Sequence, residues 1–96
     1  DEIDRGVGGA VASAIGERLQ RLAEGAQVVI VTHSPQVAAR GAAHLLIAKS
    51  TSGMVTRTSV HQLGDGERRE EIARMLSGAE VTEEARAQAD RLLTAA

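Results

Sequence analysis

The chain opens on two adjacent carboxylates, Asp1 and Glu2. At the end of a strand such a pair can divide the labour of hydrolysis. One carboxylate can hold Mg²⁺, which prefers oxygen ligands and keeps several of its waters. Its neighbour points elsewhere and can orient or polarise an attacking water. Taken alone, the pair is more often a charged turn. Gly6, Val7, Gly8 and Gly9 follow, and glycine lets the backbone come close to another surface or to a phosphate. No Lys-Ser or Lys-Thr adjoins them, so they form no phosphate-cradling loop of the lysine type and read equally as a turn into a helix. His33 is the third candidate. It ends the apolar run QVVIVT and precedes Ser34-Pro35. Ligands gather at the carboxyl ends of strands in open α/β sheets, and a histidine there can donate a hydrogen bond to a phosphate oxygen. The plainer reading is a capping histidine. His44 and His61 have no such placement and read as ordinary surface or strand residues.

Positioning these groups requires a fold. The spacing of Val11, Ala14, Ile15, Leu19 and Leu22 predicts an amphipathic helix over residues 10–24, closed near Gly25. Residues 27–32 hold a continuous run of β-favouring residues, which predicts a strand buried on both faces, as in a parallel sheet. Ser34 offers an N-cap oxygen and Pro35 suits the first helical position, so a helix is expected from there to about Arg40. Residues 45–49 and 55–63 predict two further strands around a turn at 51–53, the second an edge strand. Gly64-Asp65-Gly66 breaks the chain, with Asp65 as a cap for a helix over 67–76 that buries Ile72, Met75 and Leu76. Thr82 caps a last helix whose apolar stripe is Ala85, Ala89, Leu92 and Leu93, with Glu83 and Glu84 against its dipole. The fold class expected is α/β: a parallel sheet with flanking helices and an antiparallel edge pair.

Composition limits what this fold can do alone. The 96 residues suffice for one small domain, and none is Phe, Trp or Tyr. A chain of this size buries only roughly 60–65% of its unfolded surface. Aliphatic residues and alanine must supply the core, which is expected to be marginal. Cysteine is absent, which excludes disulfides and thiolate metal sites and fits a reducing compartment. The net charge is −2, which is no polybasic footprint for nucleic acid. No apolar run approaches the ~20 residues that cross a bilayer.

Together the motifs say more than each says alone. DEID (residues 1–4), a glycine loop, a helix and VVIVTHSPQVAA (residues 28–39) resemble the second half of an ATP-binding-cassette ATPase head. THSPQVAARGAAHLLIAKS (residues 32–50) and ERREEIARMLSGAEVTEEARAQADRLL (residues 67–93) are similar to the C-terminal end of the RecN family of bacterial DNA repair ATPases, which is SMC-like. The resemblance implies the C-terminal portion of a P-loop NTPase head. It implies Asp1 as the magnesium-binding aspartate after the Walker B strand, Glu2 as the catalytic glutamate and His33 as the switch histidine. Asp4, Gly6, Gly8 and Gly9 fall in the D-loop, at the nucleotide. ATP and Mg²⁺ are the implied cofactors, and a homodimer of heads sandwiching ATP is the implied assembly. DNA would be bound by the full-length protein, in the cytoplasm at the nucleoid, in recombinational repair of double-strand breaks.

The sequence departs from the wider ATPase pattern where Gly8 stands at the usual D-loop aspartate. The Walker A loop, the Q-loop and the signature motif are expected upstream of Asp1, so the chain alone is expected to be inactive. Two other readings compete. A transporter ATPase subunit is disfavoured by Asp-Glu-Ile-Asp and by the tail. A non-catalytic protein-interaction module would account for the weak core.

Overall fold

The computed structural model of the chain describes residues 9–78 and 80–95. The first helix, α1, spans Gly9–Leu22. Its buried positions are Ala12 and Gly16, one helical turn apart. They face α2, a single turn over Pro35–Ala38. Ser34 caps α2 as expected: its Oγ accepts from the Val37 amide at 3.5 Å, and Pro35 occupies the first turn. The helix ends earlier than its sequence suggests, with Ala39 as its C-cap. Tighter three-residue bonds follow, from the Arg40 amide to the Val37 carbonyl and from the Gly41 amide to the Ala38 carbonyl.

The apolar face expected for α1 is not the one it buries. Val11 and Leu22 are more than half exposed, Ala14 is exposed, and Ile15 and Leu19 are half-buried. The helix meets α2 through its small residues because close approach of two backbones needs the absence of side chains. A Cβ on Gly16 would lie 3.0 Å from the Gln36 carbonyl oxygen and 3.4 Å from the Val37 Cα.

Residues 27–34 form neither helix nor strand, which corrects the expected parallel strand. Val28, Ile30 and Thr32 are half-buried while Val29 and Val31 are exposed, Val29 to 77%. β propensity makes no sheet without a neighbour to complete the ladder. Among the described residues, the strands β1 (Leu45–Ser52) and β2 (Val55–Gln62) pair only with each other, antiparallel, from Leu45↔Gln62 to Ser52↔Val55. The two-residue turn between them is Gly53-Met54, and Gly53 takes the positive φ of 63° that such a turn favours. The hairpin packs against none of the described helices.

The core lies between α3 (Asp65–Ser77) and α4 (Glu83–Ala95). Ile72, Ala73, Ala85 and Ala89 are buried there with Ala39, and Met75, Leu76, Val81, Leu92 and Leu93 pack around them half-buried. Thr82 caps α4, its Oγ1 accepting from the Ala85 amide at 3.1 Å. The cap of α3 is Gly64, not Asp65, and the Glu67 carboxylate reaches back to accept from the Gly64 amide at 3.0 Å. Asp65 instead begins the helix, where its charge complements the dipole. The architecture is a small α/β unit: a two-stranded antiparallel sheet and, among the described residues, four helices. No described helix is long and apolar enough to cross a membrane.

Candidate functional site

His33 stands on the turn that enters α2, and its side chain is exposed. The residues on either side of it are tied down locally. The Ser34 amide donates to Thr32 Oγ1 at 2.9 Å, and Ser34 Oγ donates to Gln36 Oε1 at 3.0 Å while capping the helix. The imidazole therefore projects from a backbone braced by a side-chain cap, not from a floppy loop.

Gly9, the last residue of the glycine run, begins α1, and a Cβ on it would lie 3.5 Å from Gln36 Nε2. The start of α1 therefore lies near the Gln36 side chain of α2, three residues after His33. Asp1, Glu2, Asp4, Gly6 and Gly8 lie outside the described residues. Among the described residues no three His, Asp or Glu side chains gather as a metal cage would require.

Two arginines that sequence reasoning passed over hold this region in place. Arg40, just past the end of α2, bridges α1 and α4. Its Nη1 donates to Gln20 Oε1 of α1 at 3.0 Å and to the Ala95 carbonyl of α4 at 3.1 Å, and its Nη2 reaches Glu17 at 3.4 Å. Arg68 of α3 clasps the end of α2. Its Nη2 is shared among the carbonyl oxygens of Ala38, Ala39 and Gly41. Helix C-termini leave carbonyls without intrahelical partners, and a guanidinium both satisfies them and suits the dipole. The only sequence signal was a basic residue just after one helix and another near the start of the next.

His44, read from the sequence as an ordinary surface or strand residue, stands just before β1 and is not on the open surface. It is half-buried, and its Nδ1 is buried without a hydrogen-bond partner among the described residues, as is the Nε of Arg68. Burial pushes the His44 pKa below its usual value, and the Arg68 charge adds to that; Glu71 opposes it.

No family model matches the chain. Individual relatives do. The DNA repair protein RecN of Streptomyces coelicolor is 54% identical over all 96 residues, and that of Xylella fastidiosa (strain 9a5c) is 46% identical over 93 residues, 97% of the chain. RecN of Vibrio cholerae is 43% identical over the whole chain. The chain spans 17% of the length of each of these relatives and corresponds to their C-terminal part. On this similarity, which runs from one end of the chain to the other, it belongs to the RecN family.

Proposed function

We propose that this chain is the part of an SMC-like ATP-binding-cassette ATPase head that carries the hydrolytic residues, and that the whole protein acts in recombinational repair of DNA double-strand breaks. The relatives named as DNA repair proteins support the biological role. The observation that carries the catalytic reading is the packing of α1 on α2, which sets the helix that follows the Asp1-Glu2 pair beside the helix that His33 precedes.

Two features of the described residues support a phosphate ligand: His33 is an exposed imidazole on a braced turn, and α1 begins at Gly9 near the Gln36 side chain of the helix that His33 precedes. Bound Mg-ATP would supply a γ-phosphoryl group whose transfer to water depends on positioning and charge stabilisation. Asp1 would hold the magnesium and Glu2 would orient the water and take up its proton. His33 would donate a hydrogen bond to the terminal phosphate, and the D-loop residues Asp4, Gly6, Gly8 and Gly9 would line the nucleotide. The expected assembly is a homodimer of heads, and DNA would be bound by the full-length protein.

His33→Ala in the full-length protein tests this reading. The expected result is turnover slowed by ~10-fold or more with nucleotide affinity changed much less, since the histidine acts on one phosphate among many contacts. Equal turnover in the variant and the parent would remove His33 from the mechanism.

A further inference from the structure

The charges of this chain are segregated in a way that its net charge hides. Between Glu24 and Asp65 there is no acidic residue, while Arg40, Lys49 and Arg57 give that stretch three positive charges. Arg40 is spent on Glu17 and Gln20. Lys49 and Arg57 stand on the β1–β2 hairpin, both exposed, and neither side chain has an ion pair or hydrogen bond among the described residues. The arginines of α3 behave otherwise: Arg69 pairs with Asp90 and Arg74 with Glu71.

The register sorts the hairpin side chains by face. Ser50 lies opposite Arg57 and Ser52 opposite Val55, so these four share one side, where they line a shallow depression. The hydroxyls of Ser50 and Ser52 make no side-chain hydrogen bond among the described residues. On the other side, Thr51 and Thr56 satisfy each other at 3.2 Å. One face of the distal hairpin therefore offers a free guanidinium and two free hydroxyls with no carboxylate on either strand. Arginine and serine side chains are common donors to the phosphates of nucleic acids.

We infer that the distal β1–β2 hairpin is a contact point for the phosphate backbone of duplex DNA, with Arg57 and the Ser50 and Ser52 hydroxyls meeting a phosphate and Lys49 adding charge from the opposite face. This rests on the reading of the whole protein as one that acts on DNA. Such a contact adds affinity without reading sequence, and each phosphate neutralised adds about one unit to the slope of log affinity against log salt.

The test is duplex binding by the full-length protein, followed by fluorescence anisotropy across a salt series, with ATP turnover measured in parallel. The double variant Lys49→Ala, Arg57→Ala should bind several-fold more weakly at ~100 mM salt and lose about one to two units of salt slope. Arg57→Lys alone should keep the slope, and turnover without DNA should be unchanged in both. An unaltered slope in the double variant, with the parent still binding DNA, overturns the inference and leaves the repair reading standing. Failure of the parent itself to bind DNA overturns both. Competition by inorganic phosphate that matches the duplex phosphate for phosphate would mark a small-anion site and also overturn it.

Discussion

Gly16 of α1 lies against Gln36 of α2 so closely that a Cβ on the glycine would stand 3.0 Å from the Gln36 carbonyl oxygen. That contact is backbone to backbone on one side, so a side chain at residue 16 cannot be accommodated by a rotamer change. It is the contact that sets α1 beside the helix that His33 precedes.

Gly16→Val is therefore expected to destabilise the protein by ~1–3 kcal/mol, the usual range for overpacking. Gly25 is the control, since a Cβ there meets nothing within 4 Å. Gly25→Ala should be neutral or stabilising by up to ~1 kcal/mol through the unfolded chain. Urea unfolding of the two variants checks both signs, and equal midpoints would show that the α1–α2 contact is looser than described.

Ile72 is the largest fully buried side chain among the described residues, in a core otherwise made mostly of alanine. Ile72→Ala should cost ~2–5 kcal/mol. The 96-residue chain alone has a small core and leaves Val29, Ile47 and Val60 more than half exposed. It is expected to melt below ~60 °C, within or under the range of ordinary mesophilic domains. Circular dichroism on heating reads both effects.

Acid should weaken the protein through His44. Its pKa in the fold is lowered, chiefly by burial and then by Arg68. The unfolded chain therefore binds a proton at higher pH than the folded chain does. The stability that His44 contributes is fully present above the unfolded value of ~6.5 and is lost as pH falls through the lower folded value. His44→Gln should flatten the pH dependence of the unfolding midpoint below pH ~6.5. An unchanged slope in that variant would assign the acid sensitivity elsewhere.

How much could be read from the chain depended on whether a feature is local. The Ser34-Pro35 and Thr82 caps were legible because a cap is made within a few residues. So was the hairpin, through Gly53, and so was the Ala85–Ala89–Leu92–Leu93 stripe. The run at 27–32 was misread because a ladder belongs to two strands, and sequence reports one. The buried face of α1 was missed because large side chains were taken as the signal, while this interface is built on Ala12 and Gly16. The candidate site rests on motif text at Asp1, Glu2 and His33, of which His33 alone lies among the described residues. The clasp by Arg68 and the bridge by Arg40 were not legible, since both join residues more than twenty positions apart.

The central claim is that Glu2 is the group that activates water, and Glu2→Gln in the full-length protein tests it most directly. Glutamine keeps the shape and removes the negative charge. Steady-state ATP turnover should fall by ~10²–10⁴-fold, the range for losing a general base, while a nucleotide titration shows ATP still bound and the ATP-bound dimer of heads accumulates. Turnover equal to that of the parent would contradict the account and leave Asp1-Glu2 as a charged turn.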